Sequence, residues 1–369
     1  MISLFDYFVF TMDATARAIF VRILTEAAKQ HASDLHLNVG MHPVMRVDGK
    51  LVTMESEEIQ TEQVVRDVVM GLTNEKQQAT LEQNRSLIFT LELENKLRVK
   101  VNAYYQEGQL VVSMRLLSVV ATTLKDLNVP PAVERFVGLT RGMLIIGGPY
   151  GSGRTTLAMA IIEQINRTRA EHIMTIEAPI EYNLVSNKSI VDQREVGFDV
   201  PTFEAALDYV QKEDVDVLFV SDMSSPSIIR QCLEVANAGI YTIVVMDVDS
   251  SQRALEKIIT NFEASEQAHI RALLADVLEG VVIQRLVPRK GGGMMGVHEV
   301  LLSNPSMKSL ILSGRLAQIP LMIRTSKAEG MMSLDAQLAN LVSNQEITIE
   351  NAHEASIDIT TLDSLVRGQ

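Results

Sequence analysis

Between residues 143 and 158 the chain reads Met-Leu-Ile-Ile-Gly-Gly-Pro-Tyr-Gly-Ser-Gly-Arg-Thr-Thr-Leu-Ala. An apolar run leads into a glycine-rich turn, and a helical pattern follows. Gly148, Gly151 and Gly153 give the backbone the freedom to wrap its N–H groups round an anion, and a helix starting near Thr155 aims its positive dipole end at the same place. Ser152 and Thr156 belong to the same candidate cradle. The spacing Gly148-x-x-x-x-Gly153-Arg154-Thr155 fits the P-loop pattern G-x-x-x-x-G-K-[ST] at every position but the lysine. Arg154 keeps the charge, but its guanidinium is broad and planar where the lysine acts as a compact point charge on the β- and γ-phosphates.

A phosphate cradle needs a rigid strand before it and a helix after it. From about residue 132 the pattern alternates helix and strand, which favours a mainly parallel sheet, with candidate strands at 143–146, 173–177, 217–220 and 241–246. All but the second are near-continuous apolar runs, as strands covered on both faces should be. Ligand chemistry in such a sheet belongs at the carboxyl ends of the strands. Residues 266–287 read as one amphipathic helix, 288–296 as a flexible turn, and the chain from about Asn304 as several helices, with Ser333 and Thr348 as caps.

Upstream, residues 14–30 and 61–82 carry helical spacing, while 34–39, 44–52, 86–93, 97–104 and 110–117 read as strands, with a turn at Asp48-Gly49. The expected organisation is an α+β domain over 1–121, a linker over 122–131 containing Pro130-Pro131, an α/β domain over 132–303 and a helical region over 304–369.

Composition narrows the classes. With 33 Lys+Arg against 46 Asp+Glu the net charge is −13, which argues against a general nucleic-acid surface. One cysteine, Cys232, excludes a disulfide framework and a cysteine-based zinc site. His31, His36 and His42 come nearest to a histidine cluster and read as ordinary loop or strand residues. Residues 1–10 are too short and too interrupted to cross a bilayer and lack a basic front, so the expected location is the cytoplasm. The first dozen residues either fold onto the first domain or act as a docking segment.

Further segments follow in order: Ala32-Ser-Asp-Leu-His36, Thr175-Ile-Glu-Ala-Pro-Ile-Glu-Tyr182, Gln193-Arg-Glu-Val-Gly197 and Asp214-Val-Asp-Val-Leu-Phe-Val-Ser-Asp-Met223. With the P-loop, this run resembles the PilT/PilU family, the type IV pilus retraction ATPases of the secretion-ATPase superfamily, from about residue 20 to the end. His298-Glu-Val-Leu-Leu302 and Glu346-Ile-Thr-Ile-Glu350 lean towards PilU. The resemblance implies a PAS-like first domain, a RecA-like P-loop NTPase domain, a hexameric ring of this chain alone or with an active PilT-type ATPase, and Mg-ATP bound between subunits. It also implies twitching motility as the process, and the inner-membrane platform of the pilus as a partner, with the protein peripheral to it.

Carried over residue by residue, the resemblance places Glu177 and Glu181 in an acidic box whose intervening aspartate is Ala178. Two carboxylates beside a P-loop suit Mg²⁺ or its waters, with Thr155 as the loop hydroxyl. Asp222 takes the place of the catalytic glutamate, one methylene shorter, and Ser224 replaces the arginine after it. Two family histidines are Ile240 and Asp247, an anion near the γ-phosphate that repels it unless a metal or an arginine intervenes. Arg98 and Arg115 match arginines that reach a neighbour's phosphates, while a third such position is Gly108.

Asp222 and Glu177 are therefore the candidate catalytic groups, and Thr155, Glu177, Glu181 and Asp222 the candidate metal ligands. Two readings stand almost level: an active Mg-ATPase motor, and an ATP-binding subunit whose hydrolysis is weak or lost. A RecA-like DNA translocase is a third, and the acidic balance speaks against it.

Overall fold

The structure is a computed structural model and describes residues 13–92, 98–117 and 123–368. The first dozen residues lie outside that set. The chain divides into two compact units, Met1–Val120 and Ala121–Gln369.

In the first unit, α1 (Ala14–Lys29) precedes β1 (Asp34–Leu37), β2 (Val44–Val47) and β3 (Lys50–Thr53), and α2 (Glu62–Gly71) and α3 (Glu75–Asn84) precede β4 (Ser86–Glu92), β5 (Arg98–Gln106) and β6 (Gln109–Leu117). The strands form one antiparallel sheet in the order β3-β2-β1-β6-β5-β4. Phe20 and Ile23 of α1 and Val65 and Val68 of α2 close a core with Leu35, Val101 and Met114. The single helix expected over 61–82 is two, because Asn74 starts a new one with a capping box to Gln77.

The second unit opens with a short helix, α4 (Pro131–Glu134). Ahead of it, the segment expected as a linker is not a free connection from residue 124 on: Leu124 is buried in this unit's core, and Leu127 and Val129 pack against it. The site-bearing elements follow as β7 (Gly142–Gly148), α5 (Arg154–Thr168), β8 (His172–Glu177), β9 (Ile190–Glu195), α6 (Phe203–Val210), β10 (Val217–Val220), α7 (Pro226–Asn237) and β11 (Tyr241–Asp247). Then come α8 (Ser251–Thr260), α9 (Gln267–Val277), β12 (Leu278–Pro288) and β13 (Met294–Leu302).

The sheet order is β13-β12-β7-β11-β10-β8-β9, parallel throughout except for the β12–β13 hairpin. The helix expected over 266–287 is corrected: it ends at Val277, and the same apolar run continues as β12, with a register shift between Leu278 and Gly280. β7 is buried along its whole length, which is why it reads as unbroken Met-Leu-Ile-Ile.

The C-terminal helices are α10 (Pro305–Leu312), α11 (Ile319–Thr325), α12 (Leu334–Ser343), α13 (Ile349–Ala355) and α14 (Ile359–Arg367). The first two join the main core through Met307, Ile311, Ile319 and Ile323. The last three close a smaller core in which Leu334, Leu338 and Leu362 meet Val287 and Val297 of the hairpin.

Candidate functional site

Parallel strands end on one edge of the sheet, and the sequence candidates of the second unit gather there. Gly148 ends β7 and is paired in register with Asp247, the last residue of β11; Glu177 ends β8, and Asp222 follows β10. The loop from Pro149 to Gly153 turns the chain from β7 into α5. Gly153 sits at φ 83° as the N-cap of α5, and no side chain caps that helix. The first-turn N–H groups of a 15-residue helix therefore stand open to an anion, as a phosphate cradle requires.

The loop rests on Gln284 of β12. A Cβ at Gly148 would collide with the Gln284 carbonyl, and one at Gly153 would come within 2.7 Å of its Nε2, so both glycines are fixed by close approach. Gln284 Nε2 donates to the Ser152 carbonyl at 2.7 Å. The Ser152 hydroxyl is buried without a hydrogen-bond partner. Gly151 has φ 79° and is exposed.

Arg154 does not extend freely over the loop. Its Nη1 lies 3.6 Å from Asp247 Oδ1, with the arginine side chain 16% exposed and the aspartate 68%. Thr155 is half-buried in the first turn of α5, and Thr156 Oγ1 shares a 2.8 Å hydrogen bond with the Tyr182 hydroxyl.

Glu177 is fully buried. Its Oε1 accepts from Thr175 Oγ1 at 2.7 Å and Gln193 Nε2 at 3.0 Å, while Oε2 has no hydrogen-bond partner. Burial pushes its carboxyl up to about 7 against the help of those donors, and the Glu181 carboxylate nearby adds to the rise. Gln193 also donates to the Tyr182 carbonyl at 2.9 Å, so one amide holds the acidic box in shape. Asp222 is half-buried, and its Oδ2 accepts from Ser224 Oγ at 2.7 Å. Ser224, where the resemblance leads one to expect an arginine, thus holds the aspartate itself.

Among the described residues no group of three or more His, Cys, Asp or Glu is arranged to hold a metal ion alone. Mg²⁺ is ordinarily held by one or two protein groups and substrate phosphates, so this set suits an ion that arrives with a nucleotide.

Arg98 opens β5 and Arg115 lies on β6, both in the first unit. Arg115 Nε donates to Asp34 Oδ1 at 2.9 Å, so the arginine neutralises a largely buried carboxylate within its own sheet. Cys232 is a buried residue of α7 whose thiol is pushed up by burial, in keeping with an ordinary helix position.

Two residues were missed from the sequence: Gln284 and, as part of the site, His298. Both are buried, and His298 Nε2 lies 2.9 Å from Gln284 Oε1. A glutamine inside the apolar run Gly280-Val-Val-Ile-Gln-Arg-Leu-Val287 was the available signal.

Fold and site together define a P-loop protein with a RecA-like core. The chain belongs to the type II/IV secretion system protein family, whose model matches residues 11–354. It is 32% identical over 332 residues to the type IV pilus retractation ATPase PilT of Pseudomonas aeruginosa, covering 90% of this chain and 96% of that one. The type IV pilus ATPase PilU of the same species is 30% identical over 334 residues, covering 90% of this chain and 87% of PilU. A solved structure of the pilus retraction motor PilT with bound ADP matches with a TM-score of 0.81 at 31% identity, over 93% of this chain and 98% of that one.

Proposed function

We propose that this chain is a nucleotide-binding subunit of a type IV pilus retraction machine, serving twitching motility, in which hydrolysis of ATP is weak or lost. It sits in a hexameric ring, built from itself or with an active PilT-type ATPase, on the cytoplasmic side of the pilus inner-membrane platform. Among the described residues no helix is long and apolar enough to cross a membrane. ATP and ADP bind at the Gly148–Thr156 loop; Thr155, Asp222, Glu177 and Glu181 are the groups that hold Mg²⁺ or its waters.

The observation that carries this reading is the Arg154–Asp247 pair. The loop keeps its glycine geometry and open helix end, while its one cation is tied to an anion at the neighbouring strand end. Asp222 reaches one methylene less far than a glutamate, and misplacing a general base by roughly 1 Å costs on the order of 100-fold.

One observation favours an active Mg-ATPase instead. Glu177, with a carboxyl raised by burial to about 7, lies in the range in which a general base works at neutral pH. Turnover of the purified oligomer against Asp222→Ala and Glu177→Gln separates the two. Weak or lost hydrolysis predicts a wild-type rate no higher than that of Asp222→Ala. A wild-type rate well above both variants overturns it.

A further inference from the structure

A chain of buried polar groups runs from the loop into the β12–β13 hairpin. Gln284 is 2% exposed and His298 0%, and the two face each other in register on β12 and β13. A buried amide and imidazole are costly unless bonded, so their presence calls for a reason beyond filling space.

The hydrogen bonds run in one direction. The Ser152 carbonyl can only accept, so Gln284 turns its NH₂ group to it at 2.7 Å and leaves Oε1 facing His298. Oε1 can only accept, so the proton of the 2.9 Å contact sits on His298 Nε2. That fixes the tautomer, and the other ring nitrogen, Nδ1, is buried without a partner. At the far end the His298 backbone N–H donates at 2.6 Å to Gln337 Oε1 on α12. In a trans peptide the carbonyl and the following N–H point to opposite sides. Tying the Ser152 carbonyl to β12 therefore turns the Gly153 N–H to the open side of the loop, where an anion is received.

We propose that Gln284 and His298 are positioning residues of the phosphate loop: His298 orients the Gln284 carboxamide, and Gln284 sets the Ser152–Gly153 peptide so that its N–H faces a bound phosphate. This rests on the nucleotide-binding reading above for its ligand, but the loop's own conformation tests it separately. Neither side chain touches the nucleotide; both act through the backbone.

Substitutions that move the donor by one carbon decide the matter. His298→Gln keeps an N–H donor near the Nε2 position, His298→Asn places it near Nδ1, and Gln284→Glu puts a carboxylate oxygen against the Ser152 carbonyl. Two readouts are taken on the full chain: ADP affinity by titration, and amide hydrogen exchange of residues 149–154 without nucleotide, with urea midpoints measured alongside.

Gln284→Glu and His298→Asn should weaken ADP binding about tenfold and speed loop exchange several-fold. His298→Gln should stay within about threefold of wild type at a urea midpoint similar to that of His298→Asn. Equal losses in the two His298 variants, in step with their stability, would overturn the proposal, as would loop exchange unchanged in all three. A wild type that binds no ADP but whose loop exchange follows the predicted order would overturn the nucleotide reading and leave the positioning roles standing.

Discussion

The Arg154 guanidinium lies 3.6 Å from the Asp247 carboxylate, joining the first residue of α5 to the last of β11. At these two positions the resemblance to the pilus retraction ATPases leads one to expect a lysine and a histidine. The two departures answer each other. An aspartate here would repel a terminal phosphate, and an arginine beside it removes much of that repulsion while being drawn away from the phosphate itself.

Freeing the arginine should therefore strengthen nucleotide binding. Asp247 is largely exposed, so the pair contributes no more than about 1 kcal/mol. Asp247→Asn should bind a non-hydrolysable ATP analogue about two- to fivefold more tightly, with stability changed by less than about 0.5 kcal/mol. Paired titrations of the variant and the wild type check this, and unchanged affinity would mean that Arg154 does not divide its charge between the two anions.

The buried pair Glu177 and His298 predicts a stability profile with opposing arms. Burial raises the Glu177 carboxyl to about 7 from an ordinary 4.5, so the folded state holds a proton the unfolded chain has lost, and stability falls as pH rises from 4.5 to 7. Burial lowers His298 to about 4 from 6.5, so the unfolded chain takes up a proton the folded state refuses, and stability falls as pH drops from 6.5 to 4. Over the shared window the two cancel. Glu177→Gln should uncover a loss on acidification, and His298→Gln a loss on alkalinisation, each on the order of 1.4 kcal/mol per pH unit. Urea denaturation at half-unit steps between pH 4.5 and 6.5 reads both slopes; variant profiles parallel to that of the wild type would contradict the assignment.

Arg115 has a structural duty that any test of a phosphate-binding role must separate. Arg115→Ala leaves the largely buried Asp34 without its 2.9 Å ion pair and should cost about 1–3 kcal/mol. The loss should be the same with and without saturating nucleotide. A cost below about 0.5 kcal/mol would show that Asp34 finds other compensation.

The strands that carry the site were legible because burial on both faces leaves a plain mark: Met143 to Ile146 and Val217 to Val220 are apolar without a break. The loop was legible through its glycines. β9 was not, since Ile190-Val-Asp-Gln-Arg-Glu alternates at a sheet edge with no apolar run to announce it. β12 was hidden for the opposite reason: helix and strand meet at Val277 and Leu278 with no glycine or proline between them, so one apolar stretch reads as one element. The pairing of Arg154 with Asp247 and the support of the loop by Gln284 depend on which strands become neighbours, and no local spacing encodes that.

A titration of the purified full chain with a Mg²⁺-bound non-hydrolysable ATP analogue, alongside Gly153→Ala, tests the central claim most directly. At a Gly153 φ of 83° a residue with a Cβ is strained, and its methyl group would have to push Gln284 Nε2 from 2.7 Å and so off the Ser152 carbonyl, so the variant should lose binding by tenfold or more while the wild type saturates at one analogue per subunit or per ring interface. A wild type that shows no saturable binding, or a Gly153→Ala variant that binds as well, would contradict the assignment of this loop as a nucleotide site.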